Sequence, residues 1–197
     1  MDAVMRRLRR FFEGVLEVGG RFEPVRFVLH PATARPVFPA MPGALEGEEL
    51  TLHVPEDEPG AVRIAGRPVE LDPLRDEACD RWLIYFGRAR WSRFCALDID
   101  HIKSVDRVID AADLRGNLLK GIETALLREV NAAPDLLASA CERMAKVKPT
   151  APRAIGVDPY GLDVRAEFGP VRIEFEGVHA TGEGARRAVR ALLEGGS

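Results

Sequence analysis

Two apolar runs, Ala154–Val157 and Leu162–Ala166, flank Asp158-Pro159-Tyr160-Gly161. Proline presets the backbone for a tight turn and aspartate bonds its own backbone, so the four residues together are a strong turn signal. A chain with this signal folds back on itself as adjacent antiparallel strands. Val171–Phe175 follows Gly169-Pro170 as a third strand. The tail is therefore expected to be a three-stranded antiparallel meander. Thr181 then caps a last helix through Leu193, with Ala185, Ala188, Val189 and Leu192 facing inward.

Upstream of the meander the apolar period is helical. Leu114, Leu118, Ile122, Leu126 and Val130 mark one helix, and Leu136, Leu137, Ala140, Cys141 and Met144 mark a second, begun by Pro134. Before Asp110 the pattern is that of short strands broken by proline and glycine. Val25–His30, Pro36–Met41, Leu50–Val54 and Ala61–Leu71 read as strands, Asp76–Phe86 as a helix and Ser92–Ile102 as a further strand. Several short strands with one interrupting helix favour a small barrel over a parallel sheet. At the N-terminus, Val4, Leu8, Phe11 and Val15 predict an amphipathic helix over residues 2–17, ended by Gly19-Gly20. Its arginines, Arg6, Arg7, Arg9 and Arg10, read as the solvated face of a helix docked on a core. Glu46, Glu48 and Glu49, and then Glu56, Asp57 and Glu58, read as solvated turns. The expected organisation is α+β, with one domain over residues 1–110 and another over 111–197.

Composition narrows the function. The 197 residues are 46% hydrophobic and 30% charged, with a formal net charge of −3. Such a balance gives no general attraction to nucleic acid or to an anionic membrane. No run of ~18 apolar residues exists, and no apolar segment follows the N-terminal arginines as a secretory signal requires. Cys79, Cys95 and Cys141 are odd in number and far apart, which suits buried thiols in a reducing compartment. The expected location is cytoplasmic. Phosphate-cradling loops, dinucleotide fingerprints, zinc spacings and the nucleophile elbow of hydrolases are all missing, so no catalytic residue is assigned.

Three features carry the remaining chemistry. Between Arg81 and Phe94, four arginines stand among five aromatics. Guanidinium forks bind carboxylate or phosphate, and aromatic faces stack on flat rings. If the segment is extended, Arg88 and Arg90 share one face, with Ala89 and Trp91 on the other. Asp98 and Asp100 share a strand face with His101 opposite. Two carboxylates alone make no metal site, and none is assigned. Of the four histidines, His30, His53, His101 and His179, none has a spaced partner.

From Asn131 onward the residues also carry a resemblance. Asn131-Ala132 before a helix, then Gly156-Val157-Asp158-Pro159-Tyr160-Gly161-Leu162-Asp163-Val164-Arg165, then Val171-Arg172-Ile173-Glu174-Phe175 and an alanine- and arginine-rich helix, is similar to the α/β domain of haem-utilisation proteins. The likeness spans roughly residues 120–194. In that family the domain follows a split β-barrel of the pyridoxamine phosphate oxidase type, and Val25–Ile102 has the rhythm of a reduced one.

The resemblance implies a homodimer that binds haem or another tetrapyrrole between subunits. Arg88 or Arg90 would meet the propionates, Trp91 or Phe94 the ring, and a histidine, His101 first among the four, the iron. It equally admits an FMN-binding oxidoreductase using the same arginines, or a non-catalytic scaffold without a cofactor. Two departures stand out. The Asp-His pair common at the start of the second helix is replaced by Ala133-Pro134, and the arginine and lysine pattern that holds flavin phosphate is not recognisable.

Overall fold

The computed structural model describes residues 2–47, 49–55, 61–104 and 107–195. Among the acidic turn residues, Glu48, Glu56, Asp57 and Glu58 lie outside these, as does the expected break at Pro59-Gly60. The architecture is α+β, with a strongly curled antiparallel half-barrel sheet and a separate three-stranded antiparallel sheet. The chain divides into two compact units, Met1–Gly116 and Asn117–Ser197.

The first unit opens with helix α1 (Asp2–Arg10), followed by β1 (Glu13–Val18) and β2 (Arg21–Arg26). The helix expected over residues 2–17 is thus cut at Arg10, and its second half is a strand. The reason lies in Gly19 and Gly20. Both take positive φ, 56° and 77°, and join Val18 to Arg21 as a two-residue hairpin turn. They reverse the chain rather than end a helix. The strand expected over Val25–His30 accordingly starts at Arg21 and is interrupted at Phe27, leaving β3 (Val28–Leu29). Next come β4 (Pro36–Pro39), β5 (Leu50–Val54) and β6 (Val62–Leu71). Helix α2 (Glu77–Phe86) has the Asp76 carboxylate accepting from the Ala78 amide. β7 (Phe94–Ser104) and β8 (Arg107–Asp110), a strand not foreseen, complete the unit.

The sheet order is β2-β1-β5-β6-β7-β4-β3, with β8 also paired to β7. β4 pairs with one end of the long β7 and β8 with the other. Leu16, Leu52, Ile64, Leu97 and Ile102 fill the inner face together with Met5 and Leu8 of α1. Trp82 anchors α2 by donating its indole N–H to the Arg26 carbonyl, 2.9 Å away, and by packing edge-on against Phe94.

The second unit comprises α3 (Lys120–Asn131), α4 (Pro134–Ala140), β9 (Arg153–Asp158), β10 (Gly161–Ala166), β11 (Gly169–Glu174) and α5 (Gly182–Glu194). The meander order is β11-β10-β9. Leu114 and Leu118 fall outside the helix expected to contain them. Asn117 is the cause, because its side chain accepts from the Leu119 amide and donates to the Val157 carbonyl. An asparagine so engaged holds a turn ahead of the helix instead of lying within it.

Two polar devices hold this unit. The free edge of β9 is closed by side chains. Asn131 brackets Ala154, donating to its carbonyl at 2.9 Å and accepting from its amide at 2.8 Å. Glu123 accepts from the Val157 amide at 3.1 Å. These groups replace the neighbouring strand that an edge lacks. The second device is Arg172, whose side chain is 4% exposed. It donates twice to Asp158, at 2.7 and 2.9 Å, and once to Asp163, at 2.7 Å. Burial disfavours its charge, but the two carboxylates outweigh that and push its pKa upward.

Replacing Arg172 by Ala would leave two buried carboxylates without a counter-ion. We expect a loss of about 3–5 kcal/mol of stability in urea denaturation. Asn131→Ala would orphan one buried amide and one carbonyl and cost about 1–3 kcal/mol. Equal effects from the two variants would show that the ion cluster is not the stronger support.

Candidate functional site

The outer face of the half-barrel follows from the register of five strands. Antiparallel partners directly opposite each other project to the same side. One row across the sheet therefore reads Glu17, Thr51, Ala65, His101 and Asp110. The adjacent row reads Val15, His53, Arg63, Lys103 and Val108. The alternate residues Leu52, Ile64, Ile102 and Ile109 are buried on the other side. Between two histidines and two fixed cations, Thr51 is half-buried, while Ala65 and Val15 in the same rows are buried, so this floor is narrow.

The electrostatics of this floor are distinctive. Arg63 and Lys103 are direct cross-strand partners, both exposed, and neither has a carboxylate partner among the described residues. Like charges placed opposite each other destabilise a sheet unless an anion lies between them. His53 faces Glu17 at 3.3 Å, and the exposed Phe22 ring lies 5.9 Å from its imidazole. The exposed His101 makes no side-chain hydrogen bond with any described residue.

A β-bulge sets this exposure. The register of β6 on β7 shifts at Ala65/Gly66, so that Gly66 faces Ile99 and Ala65 faces His101. A Cβ on Gly66 would collide with the Asp98 carbonyl. The bulge absorbs Asp100 as an extra residue. The plain alternation expected through Asp98-Ile99-Asp100-His101 is broken there, and His101 is exposed along with both aspartates. Asp98 is tied to Arg35 at 2.6 Å. Among the described residues no group of three candidate metal ligands forms.

The residues singled out in the sequence separate into two places. After α2 the chain bends rather than extends, which overturns the expected split between arginines and tryptophan. Arg90 lies over the Trp91 ring at 4.9 Å. Both line an open cleft of about 370 Å³ with Met41, Leu45, Glu46 and Arg93. Arg93 is held by Glu70 at 2.7 and 2.9 Å, and Arg88 is exposed in the bend. His101 lies seven residues along β7 from Phe94, which at ~3.3 Å per residue is about 23 Å. Arg90 and Trp91 therefore lie beyond one end of β7 and His101 near its other end. Arg63 and Lys103 were missed by sequence reasoning. Each alternates correctly within its own strand, but only the register makes them neighbours.

The other histidines are engaged. His30 accepts from the Ala32 amide and lies 3.6 Å from Asp76, and His179 contacts the Glu176 carbonyl at 2.8 Å. The cysteines offer no nucleophile. Burial, then Asp76, Asp80 and Asp72, push Cys79 up to about 11, and burial, then Glu70, push Cys95 up to about 12. Burial also raises Cys141. All three remain thiols at neutral pH.

No protein-family model and no curated protein matches the sequence. Among solved structures, a protein of unknown function from Agrobacterium tumefaciens superposes with a TM-score of 0.70 at 18% identity, covering 98% of this chain and 95% of its own. That likeness shows a shared fold. A heme binding protein from Mycobacterium smegmatis covers 96% of each chain at 17% identity, with a TM-score of 0.38. A pyridoxamine 5′-phosphate oxidase-like protein from Listeria innocua covers 54% of this chain and 98% of its own at 16% identity, with a TM-score of 0.42. The last two superpositions are too loose to support any conclusion about this chain. Among the described residues no helix is long and apolar enough to cross a membrane.

The thiols generate a pH prediction. A raised folded-state pKa means that the unfolded chain releases its protons first as pH climbs. Stability is therefore expected to hold below the ordinary thiol value of 9.0 and to fall between there and about 12. Cys79→Ala/Cys95→Ala should flatten that decline in denaturant titrations at stepped pH. Ellman's reagent should label neither thiol before unfolding. Rapid labelling of the native protein would contradict the burial.

Proposed function

We propose that the protein binds an acidic tetrapyrrole of the haem class on the outer face of the half-barrel. The observation that carries this reading is the pairing of two rows across β5, β6 and β7. It sets an exposed histidine, without a side-chain hydrogen bond among the described residues, beside the Arg63–Lys103 pair, which has no carboxylate partner among them, with half-buried Thr51 and buried Ala65 between the taller side chains. A neutral imidazole is the commonest protein ligand of haem iron, and fixed cations bind carboxylates. In this reading His101 takes the iron, Lys103 and Arg63 take the propionates, and His53 with Phe22 borders the ring. Iron would supply the redox or oxygen chemistry, while the chain binds and orients.

An open face leaves one side of a flat ligand in water. We propose that a second copy of the chain covers it, making the functional unit a homodimer. Arg88, Arg90 and Trp91 lie too far along the same chain, so they enter such a site only from that second copy.

A second reading is supported by the same cation pair. A phosphate seated on Arg63 and Lys103, with a flavin ring over Ala65, would describe an FMN-binding protein that has no use for His101.

Titration with hemin and with FMN separates the readings. We expect hemin to develop a shifted Soret band that His101→Ala abolishes. Arg63→Ala and Lys103→Ala should each weaken binding by about ten-fold, roughly 1.4 kcal/mol. FMN binding that survives His101→Ala and fails in Arg63→Ala would establish the flavin reading instead. Silence from both ligands would leave a scaffold without a cofactor.

A further inference from the structure

We propose that the second unit carries a separate ligand site, a groove along α5 that takes an elongated amphipathic monocarboxylate. The groove encloses about 520 Å³, within the range of small-molecule pockets. Its wall on α5 is made of Ala188, Ala191 and Leu192, which recur at helical spacing on one side, and is continued by the capping Gly195. Small side chains there leave room that larger ones would fill. From Arg187 to Gly195 the trough runs eight residues, about 12 Å at 1.5 Å per residue. The buried Phe175 also lines the groove, with the His179 ring standing edge-on to it at 5.7 Å.

The opposite wall is a distortion of the chain. After α4 the helix widens into a π-turn over Cys141–Ala145, where the Lys146 amide reaches the Cys141 carbonyl. Lys146 itself takes a left-handed φ of 58° without being glycine. Both features are uncommon and cost free energy, and both concentrate at functional sites. Here they carry Arg143 and Met144 to the groove. Met144 stays 52% exposed, and Arg143 donates to the Leu192 carbonyl. An exposed thioether in a groove that a phenyl ring also lines is a surface that adapts to apolar chains.

Arg187 is the side chain placed to meet a head group. Arg187 stands at one end, with Glu183 at 3.8 Å as its ion-pair partner among the described residues and both side chains largely exposed. A contact of that kind contributes little. Arg143 stands at the other end. Glu174 and Glu176 border the same groove, so its four fixed charges cancel. A polyanion would meet those carboxylates, whereas a single carboxylate can pair with Arg187 while its apolar tail follows the alanine trough. This site is independent of the one proposed on the half-barrel.

Decanoate is the probe, titrated calorimetrically into the full chain, with decylamine as the opposite-charge control. We expect decanoate to bind with a Kd below about 1 mM. Ala191→Trp, at an exposed position, should fill the trough and weaken binding by about ten-fold or more while leaving the circular dichroism melt unchanged. Arg187→Gln should weaken decanoate selectively. The proposal is overturned if decanoate does not bind, if Ala191→Trp binds it as tightly as the parent, or if decylamine binds equally well.

Discussion

The register of β6 against β7 decides what the half-barrel presents to its surroundings. Side chains in a strand alternate with period two, so a slip of one residue would turn His101 and Lys103 inward and Ile102 outward. The register is broken once, at Gly66, where the backbone of β7 comes too close for any Cβ. That break lets Ile99 and Ile102 both be buried at a spacing of three. Asp100 and His101, between them, are left in solvent. One glycine thus links the packing of the core to the exposure of the histidine.

The second unit depends on charge rather than on alternation. Its meander is small, and all but a few residues of β9 and β10 are buried. A guanidinium enclosed by two aspartates ties β9, β10 and β11 at one end. Side chains from Asn117, Glu123 and Asn131 close the outer edge of β9. These bonds are directional where hydrophobic burial is not, so they fix which helix lies on which strand. The residues that gave the C-terminal segment its likeness to haem-utilisation proteins, Asp158, Asp163 and Arg172, are those of the buried ion cluster. That part of the likeness therefore describes how this unit is held together.

Local signals were legible in the sequence, and pairing was not. The Asp-Pro-Tyr-Gly reversal, the Thr181 cap and the Leu50–Val54 strand each depend on residues a few positions apart, and each is found in the structure. The N-terminal misreading shows the limit. Val4, Leu8, Phe11 and Val15 satisfy helical spacing, yet Val15 belongs to a strand because Gly19-Gly20 builds a hairpin and β5 supplies a partner. β8 is only four residues long and has no period to detect. The site suffered most. Arg90 and Trp91 are neighbours in sequence and also in space, but His101, Arg63 and Lys103 come together only through a bulged register between distant segments.

The account's central claim is that a flat acidic ligand lies beside His101 and the Arg63–Lys103 pair. Side-chain histidine resonances test it most directly, followed by ¹H–¹⁵N correlation spectra while gallium protoporphyrin, a diamagnetic stand-in for haem, is added. The account predicts that His101 shifts first and furthest, that His53 follows, and that His30 and His179 stay in place. Movement of His30 or His179 with His101 unchanged would contradict it.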